Sequence, residues 1–290
     1  MQSPTARLSS LIRAIDADDE LNDTSRPGCR PSECGARGRP RKLRRLPRFA
    51  EAENAVELPE LVMPTTSVVY TWSESEADEL CHNLLQSVEC SSLTLVGLDI
   101  EWKCTFVTQQ VQRPTALVQI AAKGVVYVFH ISRMARFPEY LARLIEDARL
   151  HKAGCKVVND VGKLQRDFGL KGSSLIELSD LAAASLPCGQ RPWSLADLCA
   201  STIRRKLPKD ENVRRSNWET MRLDSTQLRY AAIDAWASLM IAEELLRRIR
   251  PEMSSAGWSA LLANFSQHIG DDAMWSRRSE GRAWLQRRSH

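Results

Sequence analysis

The chain has 290 residues, 43% of them hydrophobic, and a formal net charge of +4 at pH 7. That length suits one large domain with tails, and so mild a charge excludes a global basic field, so any nucleic-acid signal must be local. No apolar run approaches the ~20 residues of a membrane helix, and the N-terminus lacks the apolar stretch of a secretory signal.

Residues 1–64 are poor in large apolar side chains and rich in Pro, Arg, Glu and Ser. They cannot bury enough surface to offset ordering entropy and are expected to be a disordered tail. Near its start, Arg7 and Arg13 hint at a mitochondrial presequence, but the acids of "DADDE" follow at once. Further on, "ARGRPRKLRRLPR" holds seven basic residues between Arg37 and Arg48 and no acid. Its core, Arg37-Gly38-Arg39-Pro40, resembles an AT-hook, an Arg-Pro arm for the narrow minor groove. The blander reading is a nuclear localisation signal or a solvated basic run, and import and DNA contact are compatible. The nucleus is the expected location.

From residue 65 the texture changes to that of a packed domain, expected to run to about 250. "TSVVYTW" reads as a strand and "SESEADELCHNLLQSV" as a helix with an N-terminal cap and early acids. "SLTLVGLDIEW", "TALVQIAA" and "GVVYVFHI" follow as an antiparallel meander, the last two joined at Lys123-Gly124. "FPEYLARLIEDA" has helical spacing. "KAGCKVV" reads as a short strand running into the helix "NDVGKLQRDFGL", with Asn159 as its cap and Val161, Leu164 and Phe168 on one side. "SLIELSDLAAASL", "SLADLCASTI" and "DSTQLRYAAIDAWASLMIAEELLRRI" make the rest helical. The expected class is α/β, a mixed sheet flanked by helices. Beyond Pro251, Trp258, Leu261, Leu262 and Phe265 have helical spacing and should dock on the domain, and "WSRRSEGRAWLQRRSH" is a basic tail.

The eight cysteines (Cys29, Cys34, Cys81, Cys90, Cys104, Cys155, Cys188 and Cys199) form no C-x-x-C pair, and the five histidines do not cluster with them. This argues against zinc. Several of these cysteines read as small core residues in a reducing compartment.

The chemistry is concentrated in acids. Asp99 and Glu101 sit one residue apart on a buried strand, so both face the same way, and two such carboxylates repel unless a cation joins them. Asp160 lies where a short strand turns into a helix, and Tyr230 and Asp234 are four apart on one helix face. Taken singly, each has a plain structural reading: a solvated strand end, a helix cap, a core tyrosine.

Taken in order, they resemble the DEDDy branch of the DnaQ-like 3'–5' exonucleases, within the ribonuclease D group and nearest the Werner-type exonuclease domains. Asp99-Ile100-Glu101-Trp102 is similar to the first motif and "RPTALVQIAA" to the strand after it. "GCKVVNDVGKLQRDFGL" is similar to the second motif, with Asp160 in the catalytic slot and Lys163, Leu164, Arg166, Asp167 and Phe168 in the pattern. "WSLADLC", "KDENVRRSNWE" and "LRYAAIDAWAS" are similar to the third-motif region, with Tyr230 and Asp234 in the catalytic places. The sister branch would carry His where this chain has Arg229.

The resemblance implies a ribonuclease-H-like fold and release of nucleoside 5'-monophosphates from 3' ends. It also implies catalytic roles for Asp99, Glu101, Asp160, Tyr230 and Asp234. Asp99, Glu101 and Asp234 would hold one divalent ion, with Asp99 bridging to a second that Asp160 supports. All-oxygen donors select Mg²⁺ or Mn²⁺, two ions in all. Trp102, Lys163, Arg37 and Arg39 are the expected nucleic-acid contacts. DNA is the expected substrate, with RNA the alternative, and a non-enzymatic nucleic-acid-binding adaptor is a further reading. No helicase motif is present, so coupling to unwinding would need a separate helicase partner.

Overall fold

The computed structural model describes residues 57–64, 67–90, 93–104, 112–186, 192–253 and 257–267. The AT-hook-like segment, the basic C-terminal tail, and Cys29, Cys34 and Cys188 lie outside them. In chain order the elements begin with β1 (Val68–Thr71), α1 (Glu74–Glu89), β2 (Leu95–Trp102), β3 (Thr115–Ala122) and β4 (Val125–Phe129). They continue with α2 (Glu139–Glu146), β5 (His151–Gly154), α3 (Val157–Phe168), β6 (Leu175–Glu177) and α4 (Leu178–Ser185). The last are α5 (Leu195–Thr202), α6 (Glu211–Arg214), α7 (Ser225–Ile249), α8 (Trp258–Leu262) and β7 (Ser266–Gln267). No described helix is long and apolar enough to cross a membrane.

The strands form one mixed sheet in the order β1-β4-β3-β2-β5-β6-β7. The predicted meander is there: β2 and β3 pair antiparallel, as do β3 and β4. β1 runs parallel to β4, and β5 and β6 extend the sheet parallel to β2. Every residue of β3 is buried, as a largely apolar central strand between two covered faces requires. Over one face lies α7, with Ala231, Ala235 and Leu239 packed on Leu117, Ala121 and Val128. Over the other lie α1, α2 and α3, which bury Val96, Leu98, Ile100, Val118 and Ile120.

Two sequence details fix how closely α7 sits on the sheet. At its start Asp224 caps the N–H groups of Thr226 and Gln227, and Gln227 returns the bond to the Asp224 N–H, which anchors the first turn. At its crossing with β2 stands Gly97. A Cβ there would lie 2.1 Å from the Ala235 carbonyl oxygen and 2.9 Å from the Leu239 nitrogen. Only a residue without a side chain permits that approach.

Three expectations need correcting. The strand read as "KAGCKVV" stops at Gly154; Lys156 adopts a left-handed conformation (φ 69°) and α3 begins at Val157. The β-branched pair Val157-Val158 mimics strand but lies in helix, and Asn159 is inside the first turn, not its cap. The segment "SLIELSDLAAASL" opens with β6, pairing with β5 through Leu175, Ile176 and Glu177 before α4 starts. A three-residue strand is too short to show alternation. Finally, the boundary expected after residue 64 falls too late. Leu61 and Met63 are buried, and Leu61 N–H donates to Lys206 O at 2.8 Å. The helix expected around Trp258 is α8, with Trp258, Leu261 and Leu262 buried.

Candidate active site

β2 carries Asp99 and Glu101 towards α7, and the register with β3 slips between Glu101 and Trp102, a bulge that re-aims the strand end. On α7, Tyr230 and Asp234 lie one turn apart and face them. Asp99, Glu101 and Asp234 each bring a carboxylate oxygen to within 4.8 Å of the others. Asp160, in the first turn of α3, lies outside that close set. Its charge still acts on both Asp99 and Glu101. The turn before α3 is held by Glu177, whose Oε1 accepts the Lys156 N–H at 2.7 Å.

The electrostatics follow from this crowding. Burial, then Asp234 and Asp160, hold the Asp99 and Glu101 carboxyls well above the usual range. Burial pushes Asp234 up to about 7 against the pull of Lys209 and Arg214. Burial and then the Glu177 charge push Asp160 to about 7. Burial and the Asp234 and Glu101 charges raise Tyr230, so its hydroxyl keeps its proton and can donate it in a hydrogen bond.

Sequence reading missed several neighbours. Lys209 and Arg214 are the cations that act on Asp234; they stood inside "KDENVRRSNWE", but a run so dense in charge reads as solvated. Trp218 is fully buried, its ring 6.2 Å from that of Tyr230, and its Nε1 donates to Arg214 O at 3.2 Å. The Trp218 carbonyl faces His130 Nε2 at 3.1 Å, and the other ring nitrogen faces the Tyr70 hydroxyl at 2.7 Å. A carbonyl only accepts, so Nε2 carries the hydrogen and Nδ1 accepts from Tyr70. Burial pushes His130 down to about 4, which keeps it neutral in this bridge.

Of the expected nucleic-acid contacts, Lys163 must be reassigned. It is 2% exposed, and its Nζ donates to Arg113 O at 2.8 Å and pairs with Asp167 at 3.0 Å. It lies over the Trp102 ring, 5.1 Å from the centroid. Asp167 in turn accepts from the Thr115 N–H and hydroxyl. Lys163 is a strut that ties α3 to β3, with no donor turned outward. Trp102 is only partly buried, and Arg37 and Arg39 lie outside the described residues.

A family profile described as 3'-5' exonuclease matches residues 68–250, a span that takes in every one of these acids. The chain belongs to the 3'-5' exonuclease family. It is 36% identical over 188 residues to the bifunctional 3'-5' exonuclease/ATP-dependent helicase WRN of Mus musculus, covering 65% of this chain and 13% of that protein. It is 34% identical over 179 residues to a 3'-5' exonuclease of Arabidopsis thaliana, covering 59% of this chain and 60% of the relative. Among solved structures, Escherichia coli RNase D superposes with a TM-score of 0.53 at 20% identity, over 77% of this chain and 51% of that one. The catalytic core of RRP6 from Trypanosoma brucei gives 0.52 at 23%, over 71% and 50%. These structural likenesses establish the shared fold.

The family is metal-dependent, and the acids suit that need. All donors are oxygen, the choice of hard divalent ions. Next to Asp99 in register stands Gln119, fully buried, with neither amide atom hydrogen-bonded. A buried orphan amide beside uncompensated carboxylates marks a place that a hydrated cation would complete.

Proposed function

We propose that this protein removes nucleoside 5'-monophosphates from the 3' ends of DNA, in a reaction dependent on Mg²⁺ or Mn²⁺. One observation carries the reading: three carboxylates from two distant segments converge within 4.8 Å although Asp234 raises the pKa of both Asp99 and Glu101, and Glu101 raises that of Asp99. Such repulsion is retained only where a cation offsets it. Asp99, Glu101 and Asp234 would hold one divalent ion, and Asp160, whose charge reaches Asp99, would support a second. The ions supply charge neutralisation for a phosphodiester and a water acidic enough to attack at neutral pH. Tyr230, which keeps its proton, would donate its O–H to the attacking water or a phosphate oxygen rather than serve as a general base. Arg214 and Lys209 face the same acids and neutralise part of the charge a phosphate brings.

DNA is proposed ahead of RNA on the resemblance of the motifs to Werner-type exonuclease domains and on the AT-hook-like run Arg37-Gly38-Arg39-Pro40. The basic segment 37–48 is assigned to nuclear import or minor-groove contact, and strand separation to a separate helicase. Incubation with 3'- and 5'-labelled DNA and RNA, with Mg²⁺, Mn²⁺ or chelator, tests the reaction. Release of mononucleotides from DNA 3' ends, lost with chelator and in Asp99→Ala, is expected. Metal-dependent cleavage retained in Asp99→Ala would refute the site.

A further inference from the structure

The sheet edge formed by β1 carries a feature that the exonuclease site does not use. Among the described residues the exposed large hydrophobics are Val62, Trp72 and Met221, at 67%, 44% and 76%. Two of the three, Trp72 and Met221, lie at this edge. Trp72 follows the last residue of β1, and the Arg222 guanidinium lies over its ring, 5.2 Å from the centroid, with Met221 next in the chain. Tyr70 packs against Trp72 at 5.4 Å between ring centroids, and both Arg222 and Arg133 act on its hydroxyl. Neither arginine has a carboxylate partner among the described residues. The nearby acids are committed, Glu74 to Arg136 and Glu76 to the Thr71 hydroxyl.

The position relative to the acids follows from strand register. Asp99 pairs with Gln119, Gln119 with Val128, and Val128 with Tyr70. β1 and β2 therefore point the same way, and their C-terminal ends share one edge. Three interstrand steps of ~4.8 Å put Tyr70 about 14 Å from the Asp99 row, and Trp72 lies just beyond. The 215–224 loop joins the two places. It leaves α6 at Arg214 beside the acids, and its Leu223 N–H donates to the Tyr70 hydroxyl at 3.4 Å.

We propose that Trp72 and Arg222, with Arg133 beside them, form a stacking platform for a base of the DNA strand several nucleotides from the 3' end held by the acids. A stacked strand advances about 3.4 Å per nucleotide, so about four nucleotides span the distance. The indole offers a face to any base, and the two arginines attract the phosphates on either side. The pairing of a flat aromatic with unpaired cations fits a polyanion of stacked rings, and its place on the edge that holds the acids gives the strand a continuous path.

The proposal rests on the exonuclease reading, and the test separates the two. Single-turnover kcat/KM is measured on a long single-stranded DNA oligonucleotide and on a dinucleotide, which is too short to reach from the acids to Trp72. For Trp72→Ala the ratio of long to short is expected to fall about tenfold relative to wild type, and Trp72→Phe should restore most of it. Arg222→Ala should lessen the salt dependence of long-oligonucleotide binding by about one unit of log–log slope. A Trp72→Ala ratio equal to wild type overturns the platform and would turn attention to an acidic protein partner at this edge. Equal losses on both substrates also overturn it, since they mark damage to the fold. Failure of the wild-type chain to release any 3' nucleotide overturns the exonuclease reading itself.

Discussion

Replacing Gly97 with Ala tests whether the closeness of α7 to β2 sets the catalytic geometry. The added methyl would lie 2.1 Å from the Ala235 carbonyl oxygen, whereas real Cβ contacts stay beyond 3.0 Å. The atom it meets belongs to a helix backbone and has no rotamer to escape into, so helix and strand must separate by about 1 Å, a displacement of the size that lowers turnover about 100-fold when it falls between catalytic groups. Because Asp99 lies two residues further along the strand and Asp234 precedes Ala235 on the helix, the separation opens the acid cluster directly. Overpacking of this kind destabilises by about 1–3 kcal/mol, or about 5 °C in Tm for a domain of this size. The assay is kcat on a 3'-labelled oligonucleotide under saturating Mg²⁺, with thermal denaturation of the same preparations. A Gly97→Ala protein with wild-type kcat and wild-type Tm would refute the claim that this crossing positions the site.

Three further outcomes are expected. Tyr230→Phe should lower kcat about 100-fold, as loss of one aligned donor does, while DNA affinity by fluorescence anisotropy stays within about twofold; an unchanged kcat would remove the donor role. Lys163→Met should destabilise by about 2 kcal/mol, because it leaves the half-buried Asp167 carboxylate with only its Thr115 donors, yet leave the salt dependence of DNA binding as in wild type; a reduced slope would show that the ammonium does reach phosphate. His130 has its pKa lowered from 6.5 to about 4, so the stability it contributes is present above pH 6.5 and is lost as pH falls through about 4. The Tm gap between wild type and His130→Asn should therefore narrow over that window, and a constant gap would refute a neutral, bridging histidine.

The meander and α7 were legible because their patterns are local. Alternation and apolar runs mark β2, β3 and β4, and the 25 residues of α7 give its helical period room to show. Boundaries decided by tertiary pairing were not legible. Val157 and Val158 carry strand propensity, but the left-handed turn at Lys156 and the Glu177 carboxylate that holds it override that preference. β6 exists because β5 offers an edge, a fact no window of sequence contains. The site divides the same way. Asp99, Glu101, Tyr230 and Asp234 announce themselves by spacing within single elements. Lys209, Arg214 and the Trp218–His130–Tyr70 chain come from loops, the one-turn helix α6 and a sheet edge brought together only by folding. Lys163 was misjudged because a lysine on an amphipathic helix usually reaches water. The Asp167 one turn later was the available sign that it pairs within the protein.

The acids on β2 and the helix that completes their cluster are separated by more than 120 positions of sequence. A ribosome must therefore finish almost the whole domain before any competent centre can exist. Fragments that end ahead of Asp234, whether from stalled synthesis or proteolysis, would be harmless to nearby polynucleotides. The long-range closure slows folding, and in exchange, on the proposed reading, no partial chain would carry a working centre.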